Sequence, residues 1–184
     1  VALAEEARRR GADVTLLAAN LAVAPPHGVD VVATPTAASL HEAALAHADA
    51  DLVLMAAAVG DYAPEPASGK RPKSAEPWTV QLQPTRDVVA EIAARRANGQ
   101  VIVAFGAEQG QPGLERKRRM LTDKNVDLVV YNDVSRTDVG FDAKENEVVL
   151  ITRGGERRIA KAPKARIAAA VLDEAVELLD GRQR

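Results

Sequence analysis

LVLMAAAVGDY, residues 52–62, is the stretch on which the fold of this chain turns. Its apolar run, with residues 51–56 read as one strand, is continuous rather than alternating, which predicts a strand buried on both faces. The strand runs into Ala56, Ala57 and Ala58, then Gly60, Asp61 and Tyr62. Small residues at a strand end let a ligand approach the backbone. In open α/β sheets ligands lie just beyond the carboxyl ends of strands. The following segment is rich in Pro, Ser, Gly and Lys and carries Gly69-Lys70-Arg71-Pro72-Lys73. A carboxylate at the strand end and cations on the next loop suit a polyphosphate with its metal ion. The same letters also fit a buried strand followed by a solvated basic loop.

Outward from this stretch, strands and helices alternate. Residues 1–10 read as an amphipathic helix stopped by Gly11. Helices in α/β folds usually follow a strand, so a first strand and its turn are expected upstream of Val1. Short apolar strands are predicted at 13–17 and 29–33. An Ala-rich helix follows over 36–48, with Thr34 or Thr36 as its N-cap. A loop over 64–77 is long enough to be functional. Residues 78–83 (WTVQLQ) alternate with period two, as a half-buried strand does. A helix over 87–97, a buried strand over 100–105, a basic helix over 114–124 and a strand over 127–131 come next. Arg153-Gly154-Gly155-Glu156 marks a hairpin between 147–152 and 157–160. A closing helix over 163–179 has Pro near its first turn. The pattern is α/β: a Rossmann-like, mostly parallel sheet with helices on both faces and an added antiparallel hairpin.

Composition narrows the function classes. The chain has 184 residues, the size of one domain, and a net charge of −2 from 24 basic and 26 acidic residues. Those charges are spread along the chain, and aromatic residues make up only 3%, which argues against a nucleic-acid partner. The sequence contains no cysteine, which excludes disulfides, thiol catalysis and Cys-based metal sites. No apolar run is long enough to span a membrane and no signal peptide is visible, so a cytoplasmic location is expected.

The strand ends carry the candidate chemistry. Ala57 and Ala58 end one strand, Phe105-Gly106-Ala107-Glu108 another, and Asn132-Asp133 a third. A parallel sheet brings all three to one rim, where a nucleotide would lie. Phe105 either stacks on a base or caps the core; Asn132 and Asp133 either contact ligand or make a turn. Arg116, Lys117, Arg118, Arg119 and Lys124 share one helix, as a solvated face or as a phosphate-binding one. The three histidines, His27, His41 and His47, include no metal-binding pair. No Gly-x-Gly-x-x-Gly, Walker loop or Gly-x-Ser-x-Gly elbow is present.

In order, the chain reads AAAVGDY, a Lys-containing loop, PTRDVV, VAFGAE, KNVDLVVYNDV and GFDAKENEVVLI. Nearly the whole sequence thereby resembles phosphopantothenoylcysteine synthetase, the C-terminal half of a bifunctional bacterial coenzyme A biosynthesis protein. The resemblance implies that residues 1–184 form a single nucleotide-binding synthetase domain. It implies a ligase that joins 4′-phosphopantothenate to cysteine through an acyl-cytidylate made from CTP, with Mg²⁺, working as a homodimer. It also raises a decarboxylase domain fused upstream. Asp61, Lys70, Thr85, Arg86, Asp87, Val88, Phe105 and Lys124 match nucleotide-binding positions. Ala57 and Ala58 match substrate-binding ones, and Lys70 and Asn132 the catalytic pair.

Three features depart from the family pattern. Its Gly-rich first turn would lie upstream of Val1. The flap lysines read KRPK, with Pro72 stiffening the backbone. A second triphosphate lysine, one turn before Lys124, falls on Met120, leaving Lys117 or Arg119 to stand in. Two other readings follow: a nucleotide-binding module that has lost catalysis, or a Rossmann-type flavin or nicotinamide enzyme.

Overall fold

A computed structural model of the chain describes residues 1–135 and 145–183. The Gly140–Lys144 part of GFDAKE lies outside the described residues. The central sheet has five strands in the order β3-β6-β7-β8-β9. These are β3 (Leu52–Met55), β6 (Val101–Glu108), β7 (Leu128–Asp133), β8 (Glu145–Thr152) and β9 (Gly155–Pro163). The first three are parallel, with Leu52 opposite Val101 and Val103 opposite Leu128. The last two run antiparallel, so the expected hairpin extends the sheet at one edge.

β6 shows why a continuous apolar strand belongs at the centre. Val101, Ile102, Val103 and Ala104 are all fully buried, and they alternate between two cores. Ile102 and Ala104 face a core shared with Val89 and Ile92 of α3 (Val88–Ala94) and Leu121 of α4 (Gly110–Asp123). Val101 and Val103 face Ile167, Val171 and Ala175 of α5 (Lys164–Gln183). Helices therefore cover both faces, and α1 (Ala2–Arg9) packs against α5. α2 (Ala37–Ala46) packs against α3 and opens on a reciprocal cap. Thr36 Oγ1 accepts from Ser39 N at 3.1 Å, and Ser39 Oγ accepts from Thr36 N at 3.0 Å. Thr36 is the N-cap, and Thr34 is buried instead.

Two small sheets flank the central one. β1 (Thr15–Ala18) pairs in parallel with β2 (Asp30–Ala33), and β4 (Tyr62–Pro64) pairs antiparallel with β5 (Leu82–Pro84). The strand expected over 78–83 is thus corrected to Leu82–Pro84. Its partner β4 is three residues long and ends at Pro64, which has no N–H to donate, so residues 78–81 have no ladder to join. The residues between β4 and β5 have no regular structure, which makes the loop longer than expected. Within the hairpin, β8 lies inside the sheet, with Val148, Leu150 and Ile151 buried, and β9 forms the exposed edge.

The helix expected at 114–124 starts earlier, at Gly110. Its first turn contains Gly110, Pro112 and Gly113, which read as breakers. Asp133 of β7 supplies the missing cap: its Oδ1 accepts from Gly110 N at 3.1 Å and from Ser135 N at 2.9 Å. Gly113 is required by close approach, because a Cβ there would stand 2.5 Å from Glu108 Cβ. Among the described residues no helix is long and apolar enough to cross a membrane.

Candidate functional site

Parallel pairing of β3, β6 and β7 puts their carboxyl ends on one rim, and a cleft of about 910 Å³ opens there. Ala57 and Ala58, just beyond β3, line it, as does Asp61. So do Phe105 from the carboxyl half of β6 and Asn132 from the end of β7. Thr85, Arg86, Asp87 and Val88 enter from the start of α3, and Lys124 from the end of α4. Of the residues matched to nucleotide-binding, substrate-binding or catalytic positions, all lie on this cleft except Lys70, which is exposed on the β4–β5 loop.

Local bonds hold these residues in place. Thr85 Oγ1 donates to Gly60 O at 2.6 Å and Thr85 N donates to Asp61 O at 2.9 Å, tying the glycine turn to the entry of α3. Asp87 has two tasks. Its Oδ1 caps α3 by accepting from Ala90 N at 3.1 Å, and its Oδ2 pairs with Lys124 Nζ at 2.8 Å. Burial pushes the Asp87 carboxyl up, but the Lys124 and Ala90 bonds outweigh it and leave the pKa below the ordinary carboxylate value. Arg86 reaches Glu91 Oε1 at 3.4 Å, while Glu91 Oε2 meets His41 Nε2 at 2.9 Å. That histidine contact is the main reason the Glu91 pKa is lowered.

The ambiguous positions are now distinguishable. Phe105 is half-buried: it packs on the α5 side of the core and also lines the cleft. Asp133 is a helix cap, as described, whereas its neighbour Asn132 lines the cleft with a buried Oδ1 that has no hydrogen-bond partner among the described residues. An orphaned buried acceptor is costly unless a ligand donor meets it. Of the cations weighed against Met120, Lys117 lines the cleft and Arg119 does not. Met120 itself lines the cleft and packs on the core.

Sequence reading missed part of the lining. Val1, Ala2 and Leu3 of the α1 region and Lys164, Ile167 and Ala168 of α5 also border the cleft. These helix ends are brought there by α1–α5 packing, which no local motif announces. Arg116 was read only as part of a charged helix face, yet it grips Glu108 through Nε–Oε1 at 3.3 Å and Nη2–Oε2 at 2.7 Å. This grip is the main cause of the lowered Glu108 pKa.

The sheet order, the shared strand-end rim and the cleft on it define a Rossmann-like α/β domain. The chain belongs to the DNA/pantothenate metabolism flavoprotein C-terminal domain family, which matches residues 1–179. It is 37% identical over 193 residues to the coenzyme A biosynthesis bifunctional protein CoaBC of Mycobacterium tuberculosis, covering 98% of this chain and 46% of that protein. The chain therefore spans just under half the length of that relative. The crystal structure of the C-terminal domain of a CoaBC superposes with a TM-score of 0.80 at 25% identity, covering 98% of this chain and 81% of that one. A Cab2 variant in complex with phosphopantothenate-cysteine shares the fold, with a TM-score of 0.63 at 18% identity over 85% of this chain and 56% of that one.

Proposed function

We propose that this domain is a phosphopantothenate–cysteine ligase, the synthetase unit of a coenzyme A biosynthesis protein, using CTP. One observation carries the reading: a single strand-end cleft gathers Ala57, Ala58, Asp61, Thr85 to Val88, Phe105, Lys124 and Asn132. The relatives' names support it. CoaBC is described as a bifunctional coenzyme A biosynthesis protein, and Cab2 is seen with phosphopantothenate-cysteine. The same reading expects a decarboxylase domain fused upstream, a homodimer and a cytoplasmic location.

In this scheme the 4′-phosphopantothenate carboxylate attacks the α-phosphorus of CTP. The new C(O)–O–P linkage is the acyl-cytidylate, and pyrophosphate leaves. The cysteine amine then attacks the acyl carbon, CMP departs, and the amine proton passes to solvent. Carboxylate attack on phosphate brings two anions together, so fixed cations dominate the catalysis. Lys124, held by Asp87, lies beside the base segment Thr85 to Val88 and binds the phosphates. Phe105 packs on the base. Ala57 and Ala58 leave room for the substrate carboxylate beside the backbone. Asn132 Oδ1 accepts from a donor on the substrate. Lys70 arrives when its loop closes.

Magnesium fits as an ion carried on the triphosphate, where it would neutralise charge on the leaving pyrophosphate. Among the described residues no three His, Cys, Asp or Glu side chains gather as a metal cage. Asp61, which lines the cleft and has no ion-pair partner among the described residues, is the carboxylate to meet it.

Pyrophosphate release with CTP, 4′-phosphopantothenate and cysteine tests the reading in a full-length protein. Release dependent on both CTP and phosphopantothenate, with phosphopantothenoylcysteine as product, is expected. No release with any nucleoside triphosphate overturns the ligase; a clear preference for ATP overturns only the choice of CTP.

A further inference from the structure

We propose that Lys117 is an anion-binding residue of the cleft, that it takes the phosphate chain together with Lys124, and that Gly106 seats it there. The inference rests on the ligase reading only in taking the anion to be a nucleoside triphosphate. Lys117 and Lys124 lie about two turns apart on α4, which puts them on one face of the helix. Both line the cleft, and their side chains are 18% and 33% exposed. Arg119 is exposed and lies off the cleft.

Gly106, near the end of β6, is what lets the Lys117 stem cross the rim. A Cβ at Gly106 would stand 2.3 Å from Lys117 Cε, 2.6 Å from Cδ and 2.9 Å from Nζ. Any other residue there would push the ammonium aside. The position is also electrically unfinished. Among the described residues the carboxylate nearest Lys117 Nζ is Glu108, whose Oε1 forms a loose ion pair with it at 3.7 Å, beyond hydrogen-bond distance. Both Glu108 oxygens are already taken by Arg116. Lys124, by contrast, is held at 2.8 Å by Asp87. A half-buried lysine that shares one carboxylate with an arginine is only loosely paired, and its ammonium is free to turn to an anion entering the cleft. Asp61 and Asp123 also line the cleft, so an anion carrying a divalent cation suits it better than a bare one.

Calorimetric titration with inorganic tripolyphosphate, CTP and UTP tests the assignment on the wild type, Lys117→Gln, Lys117→Arg and Gly106→Ala. Lys117→Gln should weaken both tripolyphosphate and CTP about 10- to 100-fold, the range for a hydrogen bond to a charged group. Its CTP-to-UTP ratio and melting temperature should stay at wild-type values, because the base contacts lie elsewhere. Lys117→Arg should recover most of the affinity. Gly106→Ala should lose tripolyphosphate binding in parallel with Lys117→Gln. Tripolyphosphate binding that is absent from the wild type, or unchanged in Lys117→Gln, overturns the assignment. Tripolyphosphate binding lost in Lys117→Gln, in a protein that prefers no nucleotide and releases no pyrophosphate, upholds Lys117 and overturns the ligase.

Discussion

At the scale of single residues, the site is a set of cations whose partners differ. Lys124 is fixed by Asp87, Arg116 by Glu108, and Lys70 stands exposed outside the cleft. In the ligase reading Lys70 contributes only after its loop moves, so its effect belongs to turnover and not to folding. Lys70→Ala should lower turnover by a factor on the order of 10²–10³ while leaving the melting curve unchanged. Steady-state pyrophosphate release in the full-length enzyme measures this, and near-normal turnover would remove Lys70 from the mechanism. A second residue-level effect is electrostatic. Glu6 accepts from Arg9 Nε at 2.7 Å and Arg10 Nε at 2.8 Å, which lowers its pKa from 4.5 to about 2. Arg10 also donates to Asp173 Oδ1 of α5 at 2.8 Å. A depressed carboxylate pKa stabilises the fold above the unfolded value and loses that contribution as pH falls through the folded value. The stability gap between the wild type and Glu6→Gln should be full above pH 4.5 and close towards pH 2. Denaturant melts across that range check it; a gap independent of pH would show that the Arg9 and Arg10 contacts do not set the Glu6 charge.

At the scale of elements, what was legible in the sequence depended on whether the cause was local. β6 and β7 were readable because a strand buried on both faces must be apolar at every position, as Val101 to Ala104 are; β3 is equally apolar but only partly buried, against the expectation of full burial. The convergence of their ends followed from parallel pairing, so Ala57, Phe105 and Asn132 could be placed on one rim before any coordinates. The start of α4 was not readable. Gly110, Pro112 and Gly113 look like breakers, and the Asp133 carboxylate that caps them comes from another strand. The alternation of residues 78–83 signalled a strand, but pairing needs a neighbour, and β4 offers only Tyr62–Pro64. The α1 and α5 contributions to the cleft were invisible for the same reason. The β4–β5 loop carries its own prediction. If it closes over a bound triphosphate, amides between Glu65 and Gln81 should exchange hydrogen more slowly at saturating CTP than without it. Unchanged protection would show that Lys70 never reaches the site by loop closure.

At the scale of the whole molecule, the β4–β5 arm projects apolar surface. Tyr62, Trp78, Val80 and Leu82 are 63%, 61%, 46% and 53% exposed. Trp78 therefore does not pack in the chain's own core; its ring carries the Arg71 guanidinium 4.5 Å from its centroid. Large apolar side chains exposed on a short ribbon and its loop favour burial against a partner. Among the described residues β9 offers no match for them, because this edge strand presents Arg157, Arg158 and Lys161. The proposed homodimer is thus narrowed to a C₂ contact in which the two arms meet each other or a neighbouring surface, with Trp78 as an anchor. Light scattering at micromolar concentration should give the mass of two chains. Trp78→Glu and Leu82→Glu should each shift it towards one chain without altering the far-ultraviolet circular dichroism. If the partner helps complete the cleft, ligase activity should fall with the dimer fraction as the protein is diluted. A monomer with full activity would sink both the dimer and the shared site, while a dimer indifferent to Trp78→Glu and Leu82→Glu would move the interface off this arm.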